Sequence, residues 1–143
     1  MPIKRIPQRT QSDCAVCSVA MVLGYSYERV QGDRDRYSQF TDREAWWGPY
    51  LADEGRSTKY VSLGAISSLP GAGGAARGLL VLRSPLLRAA HLVAIDELGF
   101  VDPADGFPDH VPYDRYFPIK ALSGFAPADS NFLAITATNM PMG

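Results

Sequence analysis

The sequence has few cysteines, no excess of either charge and no long apolar run. Its 143 residues include only two cysteines, Cys14 and Cys17, which is too few for a small fold held together by disulfides. The 14 basic and 15 acidic side chains leave a formal net charge of −1, so the overall charge favours neither nucleic acid nor an anionic membrane as a partner. The longest apolar stretch, residues 15–23, is too short to span a bilayer. If the two cysteines matter, they matter through their chemistry.

Length and composition favour one globular domain. Hydrophobic residues make up 46% of the chain and charged residues 20%, as in ordinary soluble proteins. A chain of 143 residues can bury a core without covalent staples, so we expect a single domain over residues 1–143. Residues 1–13 are charged and then polar, without the apolar run of a signal peptide. We therefore expect a cytoplasmic protein, unless a partner system exports it.

The residue pattern predicts helices in the first half of the chain and strands in the second. A helix is expected from Cys14, with Asp13 as its N-cap and Gly24 at its end; it is apolar on nearly all faces, which places it inside the domain. Other helical fragments are expected within residues 27–37 and 41–55, and a short strand turning into a helix within 60–69. Strands are expected within residues 77–84, 91–96, 99–103 and 131–139. This order predicts an α+β fold with an antiparallel sheet.

Cys14 stands at the expected start of the apolar helix, which is a favourable place for a nucleophile. Free backbone N–H groups and the helix dipole stabilise an anion there, and the thiolate is the reactive form of cysteine. The alternative is that Cys14 is a small buried apolar residue. Cys17, one turn later, is expected to pack in the core, with a reversible link to Cys14 as a weaker hypothesis.

The Cys-x-x-Cys spacing of Cys14 and Cys17 also matches redox and metal sites. A thioredoxin-like site should follow a strand, and the polar segment before Cys14 does not have a strand pattern. A zinc site would need two further ligands, and His91 and His110 are 19 residues apart, outside the common spacings. We therefore assign no metal ligands, and a redox or metal role of this pair is the less favoured interpretation.

A cysteine nucleophile needs a base, and the chain has only two histidines. His91 opens a predicted strand, whereas His110 lies in a loop rich in proline and is expected to be solvated. If this strand and the next form a hairpin in which paired residue numbers sum to about 195, Asp102 lies diagonal to His91 on one face of the sheet. Asp102 would then be the acid that orients the base, with Asp96 and Asp105 as alternatives.

In their order and spacing these motifs resemble the bacteriocin-processing peptidases, which are papain-like cysteine peptidases that cut after double-glycine leaders. The shared features are Pro7-Gln8, Asp13-Cys14, a small-residue apolar helix ending near Gly24, the apolar strand from His91 and the Asp-Pro turn at Asp102. They extend from about Ile6 to Gly106. The resemblance implies a papain-like α+β fold, with the N-terminal helix as a central element packed on the antiparallel sheet.

The resemblance also implies roles for four residues. Cys14 would be the nucleophile, His91 the general base and Asp102 the orienting acid. Gln8 would complete the oxyanion hole, for which Gln11 is a competing glutamine.

The chain departs from this family in two respects. Ala15 follows the cysteine where the family usually has glycine. The best-known members are fused to a transporter and its ATPase, whereas we expect a stand-alone domain here. Leader cleavage coupled to export is therefore not carried over.

The expected function is that of a cysteine peptidase or related amide hydrolase that acts on a peptide or protein substrate and needs no cofactor. The alternative is a non-catalytic papain-like module that binds a peptide or a partner protein in the same groove. One of Trp46 and Trp47 is expected in the core, and the other, with Tyr50, is a candidate for lining the substrate groove. Plain packing of these aromatic side chains is the alternative interpretation.

Overall fold

The computed structural model describes residues 3–10, 12–37, 39, 46–62, 77–85, 89–96, 98–122, 124–127 and 131–136. The helices are α1 (Cys14–Leu23), α2 (Tyr27–Arg34), α3 (Trp47–Asp53) and α4 (Tyr113–Leu122), and a short 3-10 helix over Asp35–Tyr37 follows α2. The strands are β1 (Ser57–Ser62), β2 (Arg77–Ser84), β3 (Ala89–Asp96), β4 (Gly99–Val101), β5 (Ala126–Pro127) and β6 (Asn131–Thr136).

Within the described residues, these strands form one antiparallel sheet in the order β1-β6-β2-β3-β4, with the short β5 paired to β2. This confirms the α+β class and the expected positions of β2, β3, β4 and β6. The strand expected near residue 60 begins three residues earlier, at Ser57, and the helix expected after it lies outside the described residues. The helix α4 was not predicted, because Pro118 lies inside it and a proline, which lacks a backbone donor, normally indicates that a helix is interrupted.

The helix α1 occupies the centre of the larger of two hydrophobic clusters. Every residue of α1 after Cys14 is buried, as the apolar pattern predicted. Gly24 ends the helix with a φ of 74°, and its N–H donates to the Met21 carbonyl. Because α1 also contacts β3, the start of α1 is held against the strand that carries His91.

The central strands of the sheet are buried on both faces, since their alternate residues enter different clusters. Leu92 and Ala94 of β3 pack with α1, whereas Val93 and Ile95 join the second cluster, which includes Tyr116 of α4. The helices α1 and α4 therefore pack on opposite faces of β3.

The register of the β3–β4 hairpin agrees with the sequence-based prediction. Ala94 pairs with Val101 and Asp96 with Gly99, so paired residue numbers sum to 195. Continued by one residue, this register places Asp102 opposite Val93, diagonal to His91 on the same face. The hairpin thus determines which acid the histidine can reach.

Replacement of Gly99 by alanine is expected to destabilise this hairpin strongly. Gly99 has a φ of 142°, and an added Cβ would collide with the backbone carbonyl of Val111. We expect Gly99→Ala to lower the free energy of unfolding by about 3 kcal/mol in urea denaturation. Gly106 is a matched control, because it has a φ of 88° but open space around its Cβ position. Gly106→Ala should cost about 1 kcal/mol, and equal losses for the two variants would contradict the steric explanation.

Candidate active site

Asp13 occupies the N-cap position of α1, but its side chain does not cap the helix, which corrects the sequence-based prediction. Its carboxylate instead accepts hydrogen bonds from the backbone N–H groups of Arg9 and Thr10, at 3.0 and 3.3 Å, and from the Tyr27 hydroxyl at 2.9 Å. Burial raises the pKa of Asp13, but these hydrogen bonds outweigh it and leave the pKa below its ordinary value. The Asp13 side chain therefore accepts no hydrogen bond from the first-turn N–H groups at the start of α1.

Two hydrogen bonds, one at the N–H and one at the carbonyl of Leu92, hold the start of α1 against β3. The Leu92 N–H lies 3.5 Å from the Cys14 Sγ, to which it donates. The buried Ser18 hydroxyl, one helical turn beyond Cys14, donates to the Leu92 carbonyl at 2.7 Å. Cys14 itself is half-buried, so its sulfur lies beside the strand residue that follows His91 and keeps partial access to solvent.

His91 and Asp102 form a buried pair next to this sulfur. The His91 Nε2 lies 2.6 Å from the Asp102 Oδ1, and the Asp102 side chain is fully buried. Burial lowers the pKa of His91, but hydrogen bonds and charge interactions with Asp102 and Cys14 outweigh it and raise the pKa to about 9. Because Nε2 is occupied by Asp102, Nδ1 is the ring nitrogen left for Cys14. The structure therefore brings the three predicted residues into one connected group.

The Asp102 carboxylate is held on four sides. Besides His91, its Oδ1 accepts the Ala104 N–H at 2.9 Å, and its Oδ2 accepts the Tyr116 hydroxyl at 2.5 Å and the Lys120 ammonium at 3.0 Å. Burial acts to raise the pKa of Asp102, but its hydrogen bonds to His91, Tyr116 and Ala104 outweigh this and lower it well below the ordinary range. Burial and the nearby carboxylate raise the pKa of Tyr116 far above its usual value. This environment keeps Asp102 ionised.

Sequence reasoning missed Tyr116 and Lys120, which reach Asp102 from α4. They lie four residues apart, one turn along the same helical face. The spacing was visible in the sequence, but the element that presents both residues to Asp102 was not predicted. Ser18 was missed as well, because its role is a contact with β3 that no local pattern shows.

Gln8 lies on the same side of the fold as His91, in a segment held along the Asp102–Ala104 turn. The Gln8 N–H donates to the Pro103 carbonyl at 2.7 Å, and the Arg5 guanidinium donates to the carbonyls of Asp102 and Ala104. The Gln8 side-chain Nε2 donates to Thr10 O at 3.0 Å, while its Oε1 is buried and has no hydrogen-bond partner among the described residues. The amide nitrogen of Gln8 is therefore hydrogen-bonded to the adjacent loop, and its role in an oxyanion hole stays a prediction.

A cavity of about 390 Å³ lies beside the His91 ring. Gln8, Lys120 and Phe125 line it together with His91, and the Phe125 ring centroid lies 6.0 Å from that of His91. The cavity is large enough for a substrate side chain next to the histidine.

The three aromatic residues considered for a substrate groove lie in the core, which corrects that expectation. Trp46, Trp47 and Tyr50 are 0%, 7% and 0% exposed, and none of them lines the cavity beside His91. The Tyr50 hydroxyl donates to Asp33 Oδ2 at 2.7 Å, so even its polar end is directed to α2. Packing, the alternative interpretation, is what the structure shows.

The alternative acids and the second histidine lie elsewhere. Asp96 accepts the Ile3 and Leu98 N–H groups and pairs with His110 Nε2 at 2.7 Å, so it is a turn residue that also holds the N-terminal segment. The expectation that His110 is solvated is therefore wrong. Asp105 is exposed and lines the cavity, but Asp102 is the acid bound to His91. The competing Gln11 lies outside the described residues.

Cys17 packs in the core, as expected. It is fully buried, its Sγ lies 3.7 Å from the Pro7 carbonyl oxygen, and burial raises the pKa of its thiol to about 12. Both cysteines are free thiols. Among the residues that the structure describes, no three or more His, Cys, Asp or Glu side chains are grouped to hold a metal ion.

Comparisons of the chain with models of protein families, with curated proteins and with solved structures find no match. In the described part of the chain, no helix combines the length and the apolar character needed to cross a membrane.

Proposed function

We propose that this chain is a papain-like cysteine peptidase or a related amide hydrolase that acts on a peptide or protein. The observation that carries the proposal is the connected group of Cys14, His91 and Asp102, in which a half-buried thiol at a helix start adjoins a histidine held by a buried carboxylate. The nucleophile, the base and the group that orients the base are the parts that thiol-dependent acyl transfer requires.

In the proposed reaction, Cys14 attacks as the thiolate beside a protonated His91, whose pKa is raised to about 9 so that the imidazole is protonated at neutral pH. The thiolate attacks the substrate carbonyl carbon and forms a C–S bond. As the C–N bond breaks, the imidazolium gives its proton to the leaving amine. His91 then takes a proton from water, which attacks the thioester and releases the carboxylic acid and the Cys14 thiolate.

The charge that develops on the carbonyl oxygen would be stabilised by the Cys14 backbone N–H and the Gln8 amide. A half-turn of that amide exchanges its two ends and places Nε2 where the buried, unpartnered Oε1 now lies. Loss of one such donor typically lowers kcat by about 100-fold or more.

One observation favours a second candidate, the non-catalytic module that binds a peptide or partner protein. The Gln8 Nε2 donates to Thr10 O, so in this arrangement the side-chain donor is already bonded to the adjacent loop. A protein that only binds a peptide beside His91 has no need of that donor.

The experiment that separates the two candidates is turnover of a peptide library, with Cys14→Ser as the blank. The peptidase predicts cleaved products from the wild-type protein, a thioester to Cys14 detectable by intact mass after rapid acid quench, and neither result with Cys14→Ser. Peptides that bind equally to both proteins and are recovered uncleaved would support the binding module instead.

A further inference from the structure

Lys120 is a buried cation beside the proposed catalytic group. It is 6% exposed, and its Nζ lies 3.0 Å from Asp102 Oδ2. The ring centroids of Phe107 and Phe125 lie 4.9 and 5.3 Å from the same Nζ. Buried lysines are rare unless they are paired, so this ammonium depends on Asp102 for its counterion.

The same carboxylate also serves His91. Asp102 Oδ1 lies 2.6 Å from the His91 Nε2, while Oδ2 faces Lys120, so one anion is shared by two groups that carry positive charge when protonated. The charge of Lys120 reduces the attraction that Asp102 exerts on a protonated His91. It also repels that imidazolium directly across the carboxylate.

We propose that Lys120 is a positioning residue that holds the Asp102 carboxylate and, by sharing it, sets the upper pH limit at which the proposed Cys14–His91 ion pair persists. Among the described residues, Lys120 makes its ion pair with Asp102 and no hydrogen bond to Cys14 or His91, so it acts on them through Asp102. The inference rests on the proposed function for its consequence in catalysis, but the charge coupling between Lys120 and His91 can be measured without any substrate.

The other titratable or charged groups around His91 come from each neighbouring element. They are Cys14 at the start of α1, Arg5 and Arg9 in the N-terminal segment, Asp102 and Asp105 in the turn after β4, and Tyr116 on α4. Arg5 donates to the backbone carbonyl of Asp102, and Arg9 pairs with Glu28. Among the described residues, Lys120 is the formal cation other than His91 that contacts the Asp102 carboxylate itself.

The test is an NMR titration of the histidine ring protons in a Cys14→Ser background, where no thiolate contributes. We expect Lys120→Met to raise the pKa of His91 by about one pH unit relative to the Cys14→Ser parent. Lys120→Arg keeps the charge. Relative to the same Cys14→Ser parent, it should change the pKa of His91 by no more than about a quarter of the shift expected for Lys120→Met. His110 pairs with Asp96 rather than with Asp102, so its ring protons are an internal control for changes that do not pass through Asp102.

An unchanged or lowered pKa of His91 in a folded Lys120→Met protein would overturn the proposal, since a purely structural lysine has no reason to move this titration upward. If Lys120→Met does not fold, Lys120→Gln keeps a hydrogen-bond donor without the charge and makes the same prediction. In the protein that retains Cys14, Lys120→Met should move the alkaline limb of the pH profile of the Cys14 alkylation rate to higher pH. If no peptide is ever cleaved, the proposed function fails while the titration still decides the role of Lys120.

Discussion

Alanine in place of His91 is expected to lower kcat/KM for a cleaved peptide by about 10⁴-fold. His91 is proposed both to hold the proton of Cys14 and to deliver it to the leaving amine, so its loss removes the base of one step and the acid of the next. The measurement is peptide hydrolysis with the substrate found in the library.

His110→Ala is the matched control for this prediction. His110 is the other histidine of the chain, and it pairs with Asp96 rather than with Asp102. We expect its kcat/KM to stay within about threefold of wild type, because surface or half-buried substitutions away from the reacting atoms change activity little. Equal losses for His91→Ala and His110→Ala would show that the effect of His91 is structural.

Asparagine in place of Asp102 is expected to lower the free energy of unfolding by about 3 kcal/mol. The substitution leaves Lys120 as an uncompensated charge in a buried position, and breaking a buried pair in this way is strongly destabilising. The double variant Asp102→Asn/Lys120→Met removes that charge and should recover a large part of the loss. Urea denaturation of the two variants and of the exposed-site control Asp105→Asn, expected within about 0.5 kcal/mol of wild type, measures these differences. A double variant no more stable than Asp102→Asn alone would contradict the pairing argument.

The stability conferred by the His91–Asp102 pair should also depend on pH in a defined direction. The pKa of His91 is raised from 6.5 to about 9 in the folded protein. The contribution of His91 to the free energy of unfolding is therefore fully present below about pH 6.5 and is lost as the pH rises through 9. The pKa of Asp102 is lowered, so its contribution is present above its ordinary value and is lost on strong acidification. Wild-type protein should therefore lose stability between pH 7 and 10, and Asp102→Asn should lose less over the same interval.

The contact between His91 and Asp102 was predictable because it depends on local rules. A hairpin joins two adjacent strands, and its short turn limits the register, so the number of residues between His91 and Asp102 largely decides whether they share a face. The start of α1 was predictable for a similar reason, since Gly24 and the apolar run delimit a helix without reference to the rest of the chain. Even there the role of Asp13 was wrong, because its side chain found three partners outside the helix.

The surroundings of Asp102 were not predictable, because they depend on where a distant element packs. Tyr116 and Lys120 act on Asp102 only because α4 lies against β4 and the second cluster. Likewise, the adjacent Trp46 and Trp47 have a pattern that fits either a groove or a core, and tertiary packing placed both in the core. The place of Gln8 beside His91 depends on backbone contacts with Pro103, and no local signal in the sequence encodes them.

The most direct test of the proposed pairing of Cys14 with His91 is the rate at which iodoacetamide alkylates Cys14 at pH 6 in the folded protein. An ordinary thiol is only about 0.3% thiolate at that pH, and Cys17 is buried with a pKa of about 12, so neither should react appreciably. We expect Cys14 alone to be labelled, at least about tenfold faster than an ordinary thiol, and we expect His91→Ala to remove this advantage. Labelling of Cys14 at the ordinary rate, unchanged by His91→Ala, would contradict the proposed pairing.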